Sequence, residues 1–261
     1  MSAGMVADPV AETWDRVWKT YETLSEPTTP RLVETLAALN PNGKKVLEVG
    51  CGTGKDSFQL AAMGAKVLSV DFSLEALKLM QRKSAGMEGP IPALMAADTL
   101  RLPFKDASFD ILFHQGLLEH FTDPLAVLKE QVRVVKPGGH LLVDVPQRLN
   151  WYAVKKRREM AKGTWFAGWE SDFTLFALTR LMRKAGLKPV ATYAYGYYPA
   201  PLWLMRHLHE VGEGRFGRPL MPRGLGRLYE SAWRWWERTP LACCTLVCLG
   251  VLGQKVGRDS A

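Results

Sequence analysis

Lys45-Val-Leu-Glu-Val49 is a short apolar run that leads directly into Gly50-Cys51-Gly52-Thr53-Gly54, and a helical pattern through Met63 follows at once. Glycines at alternate positions let a backbone turn tightly and approach a ligand where a Cβ would clash. The helix behind them presents oriented N–H groups. A strand–turn–helix of this kind calls for further strands alternating with helices, and the chain supplies them. Lys66-Val-Leu-Ser-Val-Asp71 is a second strand that ends on a carboxylate, and Ser73 has the position of an N-cap, with Leu74, Leu77 and Met80 on the helix that follows. Residues 91–97 form a weaker third strand and residues 109–113 a fourth. Asp123-Pro124 caps a helix that runs to Val135, Pro137-Gly-Gly139 is a turn, and residues 140–145 form a fifth strand. The alternation predicts an α/β, doubly wound, mostly parallel sheet with right-handed crossovers. Ligands of such sheets bind beyond the carboxyl ends of the strands, which directs attention to the residues just after each one.

The flanks obey other patterns. Trp14, Trp18 and Tyr21 fall at helical spacing beside Val10 and Val17, and a second helix covers residues 30–39 before Asn40-Pro41. After Pro146 the alternation breaks. Residues 148–172 are a basic, Trp-rich insertion, 173–185 a helix, 187–195 a sixth strand, 196–240 a long second insertion and 241–252 the last strand. With no internal repeat and no low-complexity linker, residues 1–261 are expected to form a single domain with a seven-stranded sheet and helical lid insertions.

Charge divides the chain in the same places. Residues 1–40 carry 3 basic and 6 acidic groups, residues 41–147 carry 12 of each, and residues 148–261 carry 19 basic and 8 acidic. Seven of the nine tryptophans also follow Arg148. Such asymmetry concerns partners more than fold. Lys155-Lys156-Arg157-Arg158 lies among Trp151, Tyr152, Trp165, Phe166 and Trp169, and Trp233, Trp235 and Trp236 with Arg234 and Arg238 repeat the mixture. A solvated helix face is the plain interpretation; a membrane interface, an acidic amphiphile or RNA is the functional one. The N-terminus shows no signal-peptide pattern, and the apolar run at 241–253 is too short to span a bilayer. Cys51, Cys243, Cys244 and Cys248 form no CxxC pair, which predicts a reduced, cytoplasmic protein without a metal site.

Dinucleotide binding is the rival for the glycine loop. Its fingerprint is G-x-G-x-x-G, whereas this loop is G-x-G-x-G with Glu48 two residues ahead. That carboxylate would repel a pyrophosphate but favours a cationic, zwitterionic ligand. Together with Gly64-Ala-Lys-Val-Leu-Ser-Val-Asp-Phe-Ser73, Ala97-Asp98-Thr-Leu-Arg-Leu-Pro-Phe104, Phe109-Asp-Ile-Leu-Phe-His-Gln-Gly-Leu-Leu-Glu-His120 and Val135-Lys-Pro-Gly-Gly139, the loop resembles the class I S-adenosylmethionine-dependent methyltransferases, especially the type 11 group. The resemblance spans residues 30–195 by element order. It implies the Rossmann-like methyltransferase fold, S-adenosyl-L-methionine as cofactor, N-terminal cap helices over residues 1–40, a cofactor-binding core at 41–147 and substrate-side insertions at 148–172 and 196–240.

Carried over position by position, the resemblance implies that Gly50, Cys51, Gly52 and Gly54 pack under the methionine part of the cofactor, with Glu48 near its amino group. Asp71 would hold the ribose and Phe72 flank the adenine. Asp98, with Thr99 and Leu100, would meet the adenine edge. Gln115, placed just past the fourth strand, would face the transferred methyl, where the family often has a smaller residue or Asn/Asp. Alignment and exclusion of water are the main contributions to such a displacement, and a base is needed only if the nucleophile arrives protonated. His120, in the 116–122 loop, is the candidate base; alternatively it holds a loop carbonyl. His114 is expected at the strand edge or beside the cofactor in a structural role. Asp144 either faces the site or caps a neighbour, and Tyr193, Tyr195 and Tyr197, with Tyr198 next, line a wall or pack.

The expected reaction is methyl transfer to a small or lipid-like acceptor on oxygen or carbon. An anionic membrane surface is a possible peripheral partner. A nucleic-acid methyltransferase is the alternative, but the fourth strand leads into His114-Gln-Gly116 without an Asn/Asp-Pro-Pro-aromatic motif, and no Pro-Cys pair is present. A cofactor-binding protein without transferase activity is the third possibility.

Overall fold

The computed structural model describes residues 10–20, 30–196 and 246–257, with Ser231, Trp235, Thr239 and Ala242 between. Expectations for Tyr21, Tyr197, Tyr198, Trp233, Arg234, Trp236, Arg238, Cys243, Cys244 and most of the second insertion fall outside the described residues. In chain order the elements are α1 (Val10–Thr20), α2 (Pro30–Ala37), β1 (Lys45–Val49), α3 (Lys55–Ala62), β2 (Lys66–Asp71), α4 (Leu74–Ser84), β3 (Ala93–Ala96), β4 (Phe109–Gln115), a 3-10 turn (Leu118–His120), α5 (Pro124–Val134), β5 (Val135–Pro146), α6 (Trp151–Ala161), α7 (Leu175–Lys184), β6 (Leu187–Tyr195) and β7 (Cys248–Lys255).

The seven strands form one sheet in the order β3-β2-β1-β4-β5-β7-β6. β7 runs antiparallel to both β5 and β6, and the other pairs are parallel. The chain order reverses between β1 and β4, so the crevice at their carboxyl ends is the switch point. The central runs are largely apolar because helices cover both faces, with Glu48, Ser69, Asp71, His114 and Asp144 as buried polar exceptions. Leu32, Val33 and Leu36 of α2 and Leu60 and Ala61 of α3 pack with Val46, Val67, Ile111 and Phe113 on one face. Val127, Leu128 and Val132 of α5 and Leu178 and Met182 of α7 pack with Leu47, Leu112, Leu141 and Val143 on the other. Helix starts are capped as their residue types require. Ser73 Oγ accepts from the Ala76 N–H at 3.3 Å, Asp123 accepts from Leu125 and Ala126 at 3.1 Å with Pro124 behind it, and Asn150 accepts from Ala153 at 2.8 Å.

Several boundaries differ from the sequence pattern. β4 continues to Gln115, so His114 and Gln115 lie within the strand rather than beyond it, held by the pairs His114↔Val143 and Gln115↔Asp144. The Pro137-Gly-Gly139 turn is real but sits inside β5. The register passes from Phe109↔Val135 to Ile111↔His140, which loops the turn out as a bulge. β3 is trimmed to four residues at an exposed edge, and the 30–39 and 173–185 helices end sooner than expected. The last strand starts at Cys248 rather than 241 and outruns its apolar stretch. Gln254 and Lys255 remain in the ladder because Lys255 Nζ donates to the carbonyls of Val132 and Val135, both at 2.7 Å.

Candidate active site

The glycine loop and Asp71 meet at the carboxyl ends of β1 and β2. Gly50, Gly52 and Gly54 all have positive φ (68°, 51° and 65°), a conformation that excludes ordinary side chains. Asp71 is buried, yet its carboxylate accepts from the Gly52 N–H and the Ser73 N–H, each at 2.9 Å. Each oxygen keeps further acceptor capacity for a hydroxyl. Phe72, the next residue, is 49% exposed. Glu48 is buried on β1, where it accepts from Ser57 Oγ of α3, and Ser69 Oγ donates to Ser57 at 2.7 Å. Burial raises the carboxyls of Glu48 and Asp71 above their ordinary range, Glu48 well above it. Asp98 is half-buried and accepts from the Leu100 N–H at 2.9 Å. Thr99 is buried and takes the Gln131 amide at 3.3 Å, while Cys51 is a buried thiol pushed up by desolvation.

Across the switch point lies a second polar group. Tyr193 Oη donates to Asp144 Oδ2 at 2.6 Å, Tyr195 Oη donates to Asp144 Oδ1 at 3.0 Å, and Gln115 Nε2 donates to Tyr195 Oη. Asp144 is on β5 and the tyrosines are on β6, with β7 between them. Gly250 makes the crossing possible: it sits between Asp144 and Tyr193 in register, and a Cβ there would lie 2.0 Å from Tyr193 Cζ. Burial pushes the Asp144 carboxyl up to about 7, although the two tyrosine hydroxyls pull the other way. Cys248 and Tyr195 share a hydrogen bond beside it. The sequence left Asp144 and the tyrosines open between facing the site and packing; the structure joins them to Gln115.

His120 is half-buried in the 3-10 turn, edge-on to Trp14 at a 4.9 Å centroid distance, with the backbone of Trp169 and Gly116 against its ring. Burial lowers its proton affinity. His114 is fully buried, with no hydrogen-bond partner on either ring nitrogen among the described residues, and burial pushes it down to about 3. It lies within the sheet, paired with Val143, rather than at an edge. α1 bridges these features: Trp18 lies directly over Gly52, Trp14 meets His120, and Asp15 accepts from Ser73 Oγ.

The basic cluster on α6 is not one face. Lys156 is fully buried, 2.8 Å from Glu170 Oε2 and 2.7 Å from Asp172 Oδ1, and Trp165 Nε1 donates to the other Glu170 oxygen at 2.9 Å. Arg157 lies 4.0 Å from Asp172, and Lys155 lies 3.7 Å from Glu159. The expectation of four solvated charges is corrected by a simple geometric fact: four consecutive helical residues point in four directions, and one must face inward.

Residues 47–143 match a family model described as a methyltransferase domain. Over 196 residues the chain is 27% identical to the 27-O-demethylrifamycin SV methyltransferase of Amycolatopsis mediterranei, covering 71% of this chain and 70% of that one. It is 39% identical over 141 residues to the demethylmenaquinone methyltransferase of Corynebacterium kroppenstedtii, covering 51% and 58%. Residues 47–143 are a methyltransferase domain, and the matches support the class I, S-adenosylmethionine-dependent kind. The chain spans about half the length of several demethylmenaquinone methyltransferases that it matches, from 45% to 58%. Among solved structures, a Haemonchus contortus phosphoethanolamine N-methyltransferase 2 shares the fold with a TM-score of 0.62 at 16% identity, over 93% of this chain and 58% of that one. An Aquifex aeolicus methyltransferase shares it with a TM-score of 0.58 at 15% identity, over 93% and 98%.

S-adenosylmethionine is the cofactor of this class, and the residues of this methyltransferase suit it. Glu48, Asp71 and Asp144 are carboxylates whose burial disfavours their charge. A ligand bearing a sulfonium and an ammonium offsets that penalty, whereas a pyrophosphate would add to it. The loop glycines commit their own N–H groups to Val70, Asp71 and Cys51, so what they offer a ligand is a backbone without Cβ atoms rather than free donors. Sequence reasoning gave no role to Glu119, which is buried with Oε2 unpartnered among the described residues and a carboxyl raised well above its ordinary range. Its only signal was a carboxylate in the otherwise apolar Leu117-Leu-Glu-His120 stretch.

Proposed function

We propose that this methyltransferase moves a methyl group from S-adenosylmethionine to a small or lipid-like acceptor, on oxygen or carbon. The cofactor, when bound, supplies an already activated methyl; the protein's part is to hold and orient it and to keep water out. In this proposal Asp71 holds the ribose hydroxyls, Phe72 flanks the adenine, and Asp98 with Thr99 and Leu100 meets its edge. Glu48, Gly50, Cys51, Gly52 and Gly54 take the methionine end, and Gln115 borders the methyl-transfer position. The observation that carries the proposal is the buried Asp71 carboxylate tied to the Gly52 N–H across the loop. It puts acceptor and donor groups together at the switch point. The relatives named for demethylrifamycin and demethylmenaquinone support a small-molecule acceptor. Trp151 is 75% exposed, and Phe166 and Trp169 in the segment after α6 are exposed as well. With Lys155 and Arg158 they form an apolar, cationic surface that suits approach to an anionic membrane, and no described helix is long and apolar enough to cross one.

Calorimetry tests the core of the proposal. S-adenosylhomocysteine should bind the wild type, and Asp71→Ala should weaken it by about 1–3 kcal/mol through loss of a charged acceptor. Absence of binding by the folded wild-type protein defeats the proposal. Labelled methyl transfer into metabolite and lipid extracts then identifies the acceptor.

A further inference from the structure

No helix or strand covers residues 162–172, between the end of α6 and the bridge that pairs Gln147 with Phe173. Without a ladder of their own, the backbone groups of such a segment must find partners elsewhere, and side chains set where it lies. One ammonium dominates here. Lys156 Nζ, fully buried on α6, reaches Glu170 Oε2 at 2.8 Å and Asp172 Oδ1 at 2.7 Å. Burial disfavours the ammonium, but the two carboxylates hold its proton affinity above the ordinary lysine value, so the pairing persists through the neutral range. Ser171, between the two carboxylates, turns the other way. Its N–H and its Oγ both donate to the Glu119 carbonyl, at 2.8 Å and 3.2 Å. Trp169 sets its backbone against the His120 ring.

The loop gripped in this way lies against the glycine loop. Residues 116–120 follow Gln115 directly. Leu117 packs on Gly50, where a Cβ would lie 3.0 Å from Leu117 Cδ1. The Gly116 N–H donates to the Asp144 carbonyl at 3.0 Å, and the His120 N–H donates to the Leu117 carbonyl at 3.2 Å. One run of contacts therefore leads from Lys156 through Glu170, Asp172 and Ser171 to Glu119, Leu117 and Gly50.

We propose that Lys156 is a positioning residue for methyl transfer: by holding Glu170 and Asp172 it keeps Ser171 on Glu119 and fixes the 116–120 loop beside the transferred methyl. This rests on the function proposed above. Lys156 acts through the loop and touches neither cofactor nor acceptor. In-line displacement depends on alignment, and a displacement of about 1 Å caused far from the chemistry can cost roughly 100-fold in rate. The basic run on α6 is thereby divided in function. Lys156 faces the loop, while Lys155 and Arg158 stay at the surface.

The test compares the full-length wild type with a neutral variant, Lys156→Met with Glu170→Gln and Asp172→Asn. Removing the three charges together orphans none of them, so this variant keeps its fold where Lys156→Met alone loses stability. It should bind S-adenosylhomocysteine as the wild type does in calorimetry. By NMR, its Ser171, Gly116 and His120 amides should exchange roughly tenfold faster through local opening, while the amides of β1 and β4 keep their wild-type rates. Labelled methyl transfer from saturating S-adenosylmethionine into the lipid and metabolite extracts should fall by roughly tenfold to 100-fold. Ser171→Ala removes only the Oγ donor and orphans no charge. It should lower transfer in the same direction by a smaller factor, and it decides the matter if the neutral variant fails to fold. Transfer at the wild-type rate in both variants overturns the proposal, and so does unchanged exchange at Ser171 in the neutral variant. Exchange that rises equally throughout the sheet overturns it too, because Lys156 then supports the whole fold rather than the loop. Wild-type protein that binds no S-adenosylhomocysteine, or binds it and transfers no label, strikes instead the function on which the positioning rests.

Discussion

The two sides of the switch point differ in how they hold their carboxylates. On the cofactor side, Asp71 is tied to the backbone of Gly52 and Ser73, and Asp98 to the backbone of Leu100. Glu48, on the Ser57 hydroxyl, is the one held by a side chain there. Ser73 and Leu100 lie two residues from their carboxylates, and Gly52 lies 19 residues before Asp71, across one βα unit. On the acceptor side, Asp144 is tied to Tyr193 and Tyr195, 49 and 51 residues away, and Glu170 and Asp172 are tied to the Lys156 ammonium from another element. Backbone partners come with the loop and survive most substitutions. Side-chain partners exist only while distant strands keep their register. The proposed cofactor side is therefore a robust frame, while the proposed acceptor side is a set of buried side-chain networks whose members depend on one another.

This contrast makes Lys156→Gln the most damaging change on the acceptor side. Removing a buried ammonium leaves Glu170 and Asp172 facing each other without compensation. Stability should fall by about 3–5 kcal/mol, the usual result of orphaning a buried charge, as read by thermal or urea unfolding. A near-neutral result would mean that the acceptor side is as tolerant as the cofactor side. Gly250→Ala should come next. Its Cβ cannot coexist with the Tyr193 ring, so Tyr193 must leave Asp144. Overpacking of this kind costs about 1–3 kcal/mol, and the Asp144→Asn variant should then add less than it does alone, because the network is already broken.

A smaller effect links the two sides through charge. Burial raises the proton affinity of Glu48, Asp71 and Asp144 in the free protein. A bound cation favours their ionised forms, so its binding releases protons and strengthens as pH rises toward and past the Asp144 value of about 7. S-adenosylmethionine carries a sulfonium charge that S-adenosylhomocysteine lacks. The affinity ratio of the two should therefore shift toward S-adenosylmethionine between about pH 6 and pH 8, by up to roughly tenfold, the equivalent of one pKa unit. Calorimetry at both pH values measures it; a constant ratio would show that these carboxylates do not sense the sulfonium. The smallest effect belongs to the outward members of the α6 cluster. Lys155→Gln with Arg158→Gln should leave stability within about 0.5 kcal/mol. It should reduce salt-sensitive co-sedimentation with anionic vesicles if this surface meets a membrane, and unchanged co-sedimentation would remove that role.

The amino-acid order alone specified the strand–helix alternation, the glycine loop and the helix caps, because each is set by near neighbours in the chain, and the Asp71 register, because one βα unit spans the 19 residues back to Gly52. Ser73 caps its own helix, and Gly52 meets Asp71 through a short βα unit whose geometry leaves little choice. Tertiary structure decided the rest. Lys156 lay inside a run of four basic residues, and nothing local distinguished it from Lys155; only the approach of Glu170 and Asp172 made it the buried one. His114 and Gln115 are neighbours on β4, but pairing with β5 turned one into the apolar core and the other toward Tyr195. Asp144 acquired its raised proton affinity from burial under β6 side chains that reach it across a glycine in β7. The physical reason is one of range. Backbone conformation and capping are settled by nearest neighbours, whereas desolvation and side-chain pairing are properties of whatever the finished fold brings within about 3 Å.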